Sequence, residues 1–311
     1  MAATPKKTQQ QALKTDATQK QARLLIGKAK ATADIALADQ DTQIAGGLMQ
    51  LQARIYASPL LEKTTLALTL LDKAQALLNQ PQGQLKTLFL IQNNKLETLW
   101  QYLQASADIQ LDSPTWMLLI EAFANDAQQN PDNTKRAERV ENLALRAWHT
   151  SLLTADQIRI AKALILLRKW DVCLNLLGSE PLPNKSPQLN LAIGQALLGK
   201  NHDLEQAVKV LSQVTNSLPQ SPQAHLWLAM AYALGEQHRK ATQHYRTVRK
   251  LEKPATLTWW HGTLGLAQSL AAMGQTQAAR KILQVTLTLY PVIGDDALTQ
   301  DLIQLLGKLQ K

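Results

Sequence analysis

Two consecutive segments of this chain, each beginning with Ser-Pro-Gln, follow the same sequence pattern and limit the folds that it can adopt. Residues 186–219 read SPQLNLAIGQALLGKNHDLEQAVKVLSQVTNSLP, and residues 221–254 read SPQAHLWLAMAYALGEQHRKATQHYRTVRKLEKP. Repeats of this length are typical of helical hairpins that stack side by side. One hairpin cannot bury its apolar face alone, so the repetition predicts an elongated array with a surface that can hold a partner.

The composition favours an all-α class. Hydrophobic residues make up 45% of the 311 residues, which suits a buried core, and glycine (13) and proline (12) are too scarce for many strand turns. Alanine, leucine, glutamine and lysine are abundant, and these residues favour helices. We therefore predict a chain built of helices.

Charge and cysteine content limit the chemistry of the chain. A formal net charge of +9 favours acidic partners. The single cysteine, Cys173, excludes an internal disulfide and a multi-cysteine zinc site, and we predict a packed structural thiol. The histidines form no metal-binding motif, and the sequence has no phosphate loop, serine elbow or dinucleotide fingerprint. We expect no enzyme activity, no metal and no cofactor.

The sequence contains no apolar run long enough to cross a bilayer, and residues 1–20 lack the apolar core of a signal peptide. These features predict a cytoplasmic protein without a transmembrane segment. A periplasmic location is left open for the case that a signal or an anchor precedes Met1.

Serine-proline pairs predict helix starts, because serine caps free amide groups and proline suits the first helical turn. These pairs begin at Ser58, Ser113, Ser186 and Ser221. Predicted helix stops are Gln80-Pro81, Asn130-Pro131, the stretch 181–187, Leu218-Pro219 and Tyr290-Pro291. Between these signals the apolar periodicity predicts helices of moderate length with short connections, as in an array of antiparallel hairpins.

Residues 1–57 are predicted to form a basic tail and a helical extension. Residues 1–10 are polar and rich in lysine, which predicts a flexible tail. Gly46-Gly47 lies in the helical stretch that follows and predicts a break between two helices. One helical stripe of that stretch carries Ile44, Leu48, Leu51 and Ile55.

The repeated phrase resembles the tetratricopeptide repeat, in which small residues let two helices approach and larger residues fill the space between hairpins. Counted from Pro222, the small positions hold Ala229 and Ala241. The larger positions hold Leu228, Tyr232 and Tyr245. The copy from Pro187 follows the same pattern with one extra residue in its turn, and a third unit runs to Pro291.

The resemblance implies a right-handed α-α superhelix of such hairpins. Residues 181–294 are predicted to form three repeats, and residues 58–180 are predicted to form degenerate helical hairpins. Residues 295–311 are predicted to form a C-terminal capping helix, with Leu298, Leu302 and Leu305 toward the array.

In this family the first helix of each hairpin lines the concave face, so the resemblance implies a partner-binding groove. The residues that it places there are Gln188, Leu191, Gln195, Gln223, Leu226, Trp227, Met230 and His261. This set is apolar with amide donors, which suits an amphipathic or extended peptide. It lacks the cations with which related repeat proteins clamp a C-terminal carboxylate, so we do not expect a clamp for chaperone tails.

A basic surface is predicted on the second helix of the middle repeat, which faces outward in this architecture. Its residues are Arg239, Lys240, Arg246, Arg249 and Lys250. The simplest interpretation is a solvated convex face. The alternative is a surface for an acidic partner or a nucleic acid backbone, although Tyr245 belongs to the predicted core and leaves no aromatic ring for base stacking.

These observations predict a non-enzymatic adaptor or scaffold that binds a protein or peptide partner in its concave groove and organises a multiprotein assembly. One alternative is a helical repeat protein that associates with nucleic acid through its basic surface. Another is the soluble repeat portion of a cell-envelope complex. A homo-oligomer is also left open, because the fold alone does not define a partner.

Overall fold

The computed structural model describes residues 5–56, 63–78, 83–106, 109–149, 152–180, 186–199 and 203–310, with most side chains from Asp16 onward. Every regular element in these ranges is an α-helix, which confirms the all-α class. The helices are α1 (Pro5–Ala38), α2 (Thr42–Tyr56), α3 (Thr64–Leu78), α4 (Gly83–Gln92), α5 (Leu96–Ala105), α6 (Ser113–Gln129), α7 (Thr134–Trp148), α8 (Thr154–Leu166), α9 (Trp170–Leu177), α10 (Pro187–Gly199), α11 (Leu204–Ser217), α12 (Pro222–Leu234), α13 (His238–Leu251), α14 (Leu257–Ala272), α15 (Thr276–Leu289) and α16 (Asp296–Lys308). None of these described helices is both long and apolar enough to cross a membrane.

Helices begin where the serine-proline pairs predict them. α12 starts at Pro222, and the Ser221 hydroxyl accepts the backbone N–H of Ala224 at 3.3 Å, as an N-cap does. α6 and α10 also begin at or directly after a serine of such a pair. The predicted signals at Ser58-Pro59, at Gln80-Pro81 and in residues 181–185 lie outside the described residues.

Five of the described turns between helices share one backbone geometry. In each turn one residue is left-handed, and the N–H of the next residue donates to the carbonyl five positions earlier, as Gln237 N–H does to Tyr232 O at 2.8 Å. The left-handed residues are Gln40, Asn94, Arg168, Glu236 and Gly274, with φ from 52° to 76°. The hairpin turn therefore also occurs in the upstream helices, where the sequence repeat is weak.

The N-terminal helices differ from the sequence-based prediction. α1 already begins at Pro5, so a helix occupies most of the predicted flexible tail. The break between α1 and α2 lies at residues 39–41, where Gln40 has a φ of 60°. There the Asp41 carboxylate accepts the N–H of Ile44 at 3.0 Å and caps α2.

Gly46 and Gly47 lie inside α2 and do not form the predicted break. A Cβ atom on Gly46 would lie 2.5 Å from Cγ of Leu78, which belongs to α3. The absence of a side chain at Gly46 therefore allows α2 and α3 to approach closely. Glycine here serves helix packing and not a turn.

Residue contacts divide the chain into two units, residues 1–126 and 127–311. In the second unit consecutive helices from α10 to α16 pack on one another. The even-numbered helices α8, α10, α12, α14 and α16 also contact one another in series. Since α8, α10, α12 and α14 come first in their hairpins, this is the side-by-side stacking that the repeat predicts.

The repeat pattern explains the core of the second unit. Ala229 and Ala241 are both 0% exposed, and the ring of Tyr245 packs in the same cluster. Gly265 of α14 lies so near the Tyr245 ring that a Cβ atom would overlap it. Small residues thus set the distance between helices, and Trp260, also 0% exposed, fills the space behind them.

In the first unit α2 buries a different face from its apolar stripe. Ile44 and Leu51 are 52% and 48% exposed, whereas Ala45 and Ala53 are both 0% exposed. Ala53 joins a core cluster with Phe89 of α4 and with apolar residues of α3. Close packing by small residues therefore outweighs the burial of larger side chains in this helix.

Candidate functional site

An open cleft with a volume of about 740 Å³ lies in the second unit. Its walls are α8, α10 and the turn that joins α11 to α12. The volume falls within the range that is typical of ligand-binding clefts. Amide, hydroxyl and aliphatic side chains line it together.

Helical periodicity brings the lining side chains of two helices to the same side. Residues spaced by three, four or seven positions share a helix face. α8 contributes Lys162, Ile165 and Leu166. α10 contributes Gln188, Leu191, Ala192 and Gln195. Because α8 and α10 contact each other as the first helices of successive hairpins, their faces form one surface.

The third wall is the turn between α11 and α12. Its lining residues are Ser217, Leu218, Pro219, Gln220 and Ser221, with Gln223 from the first turn of α12. The Ser221 N–H donates to Leu218 O at 3.0 Å, and His225 Nε2 lies 3.1 Å from the Pro219 carbonyl. These contacts fix the rim of the cleft.

The cleft has the chemistry of a site for a polypeptide segment. Four glutamines, at positions 188, 195, 220 and 223, offer both donors and acceptors, which match the N–H and C=O groups of an extended backbone. Ile165, Leu166 and Leu191 offer contacts for aliphatic side chains. Lys162 is the one charged residue among those that line the cleft.

The structure divides the residues of the predicted groove into two groups. Gln188, Leu191, Gln195 and Gln223 line the cleft. Leu226, Trp227, Met230 and His261 do not. Leu226 is 8% exposed and belongs to the core, and Met230 packs against that core. Trp227 is half-buried and His261 is exposed.

Sequence reasoning did not identify the α8 wall or the turn. Lys162, Ile165 and Leu166 lie in a hairpin whose sequence departs from the repeat pattern. The spacing of Ile165 and Leu166 before the turn at Arg168 matches that of Ala233 and Leu234 before the turn at Glu236. Alignment on these turns would have placed α8 in the same series as α10 and α12.

Two histidines that the sequence analysis did not associate contact each other behind the rim of the cleft. Nδ1 of His225 on α12 lies 2.9 Å from Nδ1 of His244 on α13. The two rings stack at 5.2 Å, and His244 also stacks on Tyr232 at 5.6 Å. The ammonium of Lys240 lies 5.2 Å from the centre of the Tyr232 ring.

These contacts assign the protons of the neutral pair. His225 Nε2 faces the Pro219 carbonyl, which only accepts, so this nitrogen carries a hydrogen. His225 Nδ1 is then an acceptor, and His244 Nδ1 donates to it. Burial, with a smaller contribution from the charge of His225, lowers the pKa of His244 to about 4.

The basic residues of α13 have two different environments. Arg239, Lys240, Arg246 and Lys250 are exposed. Arg249, in contrast, is half-buried. Its guanidinium lies over the Trp259 ring, 5.0 Å from the ring centre. Tyr245, on the same helix, is 4% exposed and belongs to the core.

The cysteine and the potential metal ligands of the described residues were the candidates for chemistry. Cys173 is fully buried, and burial raises the pKa of its thiol to about 12, so the thiolate is disfavoured at neutral pH. No group of three or more potential metal ligands occurs in the part of the chain that the structure describes.

Comparison with protein families identifies the repeat. Residues 264–291 match the family model for the tetratricopeptide repeat. The match begins within α14 and runs through α15, and it corresponds to the third predicted unit. The hairpin of α14 and α15 therefore matches the tetratricopeptide repeat, and the other described elements are also α-helices. No curated protein matches the sequence.

Several solved structures align with this chain at low sequence identity. Yeast Tom70 is 13% identical, with 95% of this chain and 58% of that chain covered and a TM-score of 0.42. The TPR2AB domain of yeast Sti1, solved with pHSP90, is 13% identical, with 92% and 98% covered and a TM-score of 0.37. A chain of the APC/C hetero-tetramer Cut9-Hcn1 is 16% identical, with 89% and 54% covered and a TM-score of 0.40. This chain thus spans little more than half of the Tom70 and Cut9-Hcn1 chains.

Proposed function

We propose that this protein is a non-enzymatic adaptor that binds an extended segment of a partner protein in the cleft between α8, α10 and the α11–α12 turn. The observation that carries the proposal is the lining of the cleft, which combines four glutamines with an aliphatic floor. An extended segment needs hydrogen bonds for its backbone and apolar contacts for alternate side chains. This lining offers both.

The other predicted groove residues extend the proposal to the next repeat. α12 stacks beside α10 in the same series of first helices. Trp227 and Met230 keep part of their surface accessible, so a segment longer than the cleft would reach them next. Trp227 is the stronger candidate, because a large aromatic side chain contributes much contact area at low cost in conformational entropy.

The experiment is a selection of displayed random peptides against the full chain, followed by affinity measurements on two variants. Leu166→Asp places a charge in the cleft at a residue that is 50% exposed, so the fold tolerates it. We expect the selected peptides to bind this variant about tenfold more weakly or worse, because a desolvated carboxylate would face their apolar side chains.

The matched control is Leu289→Asp, which makes the same change at a leucine that is 65% exposed on α15 and does not line the cleft. Its affinity should stay within about twofold of the original chain. A photo-crosslinking residue in place of Gln195 should label the bound peptide. Equal binding by both variants, without labelling at position 195, would contradict the proposal.

A further inference from the structure

Arg249 does not share the solvent-exposed environment of the other basic residues of α13. Its Cγ lies 3.8 Å from the position that a Cβ atom on Gly262 would take, so its stem runs along α14. Its guanidinium lies 5.0 Å from the centre of the Trp259 ring. Its Nη2 lies 3.4 Å from the hydroxyl of Thr286 on α15. The side chain therefore crosses from α13 over α14 to α15.

One nitrogen of this guanidinium has lost water, and the group has not gained a counter-charge among the described residues. Its Nε is shielded from solvent and has no hydrogen-bond partner among the described residues. The Thr286 hydroxyl is neutral, and 3.4 Å is long for a hydrogen bond. Burial lowers the pKa of Arg249, and no acidic side chain in the described part of the chain acts against this effect. A desolvated charge in a protein is normally paired.

The surrounding sequence increases the positive potential at this place. Residues 239–253 contain six basic residues and one acidic residue, Glu252. The Glu252 carboxylate accepts the backbone N–H of Lys253 at 3.2 Å. The positive charge of this segment therefore attracts anions. Arg249 is the least solvent-exposed of its six basic residues.

We propose that Arg249, the face of Trp259 and the hydroxyl of Thr286 form a subsite for one oxyanion, a carboxylate or a phosphate group, carried by a binding partner. Such a group places two acceptor oxygens in the plane of the guanidinium and satisfies its donors. The Trp259 ring orients the guanidinium. The ring is itself fixed by edge contacts with Trp260 at 5.1 Å and Tyr290 at 5.3 Å. None of the three residues lines the cleft, so this subsite does not depend on the proposed function.

The test is thermal unfolding of the full chain in sodium chloride, sodium acetate and sodium phosphate at equal ionic strength. Arg249→Met keeps an apolar stem on Trp259 and removes the charge. Arg246→Met is the matched control, since Arg246 is exposed three residues earlier on the same helix. In chloride we expect the Arg249→Met variant to be at least as stable as the original chain, because an uncompensated charge is lost.

In acetate or phosphate the melting temperature of the original chain and of Arg246→Met should rise by more than that of Arg249→Met. Comparison with Arg249→Met removes the general effect of each salt on stability. A selective rise in both salts supports the shared oxyanion, a rise in acetate alone identifies a carboxylate, and a rise in phosphate alone identifies a phosphate. Equal rises in all three proteins would overturn the proposal.

An NMR titration of the guanidinium N–H signals with the more effective salt provides an independent measurement. Arg249 should show a saturable shift, and the exposed arginines should not. Arg249→Lys should bind the anion about tenfold more weakly, because an ammonium cannot present two parallel donors. Unchanged affinity in this variant, or shifts that do not saturate, would also overturn the proposal.

Discussion

At the scale of single residues, the pair His225 and His244 links the rim of the cleft to the interior of a hairpin. The neutral pair shares one hydrogen between its Nδ1 atoms, and His225 donates the other to the Pro219 carbonyl. Burial opposes a positive charge on the His244 ring, so the folded chain favours the neutral form of this residue.

The pH dependence of stability follows from this geometry. The pKa of His244 is lowered from 6.5 to about 4 in the folded chain, so the unfolded chain binds a proton that the folded chain does not. The stability that the neutral His244 contributes is complete above about pH 6.5 and is lost as the pH falls toward 4. We expect the free energy of unfolding from urea titrations to fall by about 1–2 kcal/mol between about pH 7 and pH 5 from this residue.

The control compares two glutamine substitutions. His244→Gln removes the titrating group and retains an amide that can bond to His225, so this variant should lack that part of the pH dependence. His261→Gln changes a histidine that is exposed on α14 and should leave the pH dependence as it is. If both variants follow the original curve, another group controls the acid sensitivity.

At the scale of helices, small residues and turn geometry define the hairpins more than large apolar residues do. α2 shows this most clearly, because Ile44 and Leu51 of its apolar stripe are exposed while its alanines and Gly46 are buried. The left-handed turn at Gln40 is the same as the turn at Gly274 in the recognised repeat. The hairpin thus persists where its sequence signature has diverged.

Adjacent glycines in α2 provide a matched test of helix packing. Gly46→Ala should lower the free energy of unfolding by about 1–3 kcal/mol, because its new methyl group would meet Leu78 across the contact with α3. Gly47→Ala should raise it by up to about 1 kcal/mol, because Gly47 is exposed with open space around it and alanine favours the helix. Urea denaturation of both variants measures the difference, and effects of the same sign would contradict this view of α2.

At the scale of the whole molecule, α16 packs against the hairpin of α14 and α15. α16 buries Leu298 and Leu302 against α14 and α15, and its exposed residues include Asp301, Gln304 and Lys308 together with Ile303. In stacked repeats each hairpin is stabilised mainly by its neighbours, so we expect α16 to stabilise the hairpin of α14 and α15.

A pair of alanine substitutions tests this role of α16. Leu302→Ala should cost about 2–5 kcal/mol of stability, because Leu302 is 0% exposed and its removal leaves a cavity. Ile303→Ala should change stability by no more than about 0.5 kcal/mol, because Ile303 is 59% exposed. Thermal and urea unfolding of the full chain give both values. Similar losses in the two variants would show that α16 does not cap the array.

The amino-acid sequence by itself determined the helices and the repeat. Serine-proline pairs, prolines after helix ends and apolar periodicity are local signals, and helix boundaries depend mainly on residues within one turn. For the same reason the third repeat could be recognised from its small and large positions. Half of the predicted groove residues also line the cleft, because a helix face follows directly from the spacing of residues.

Only the tertiary structure decided which faces meet. The α8 wall of the cleft, the contact between His225 and His244 and the position of Arg249 beside Thr286 all join residues that lie on different helices. The buried face of α2 likewise depends on α1 and α3, which pack against its small residues. Local signals define a helix and its periodicity. Which helix packs against each of its faces depends on the joint burial of residues that are distant in the sequence.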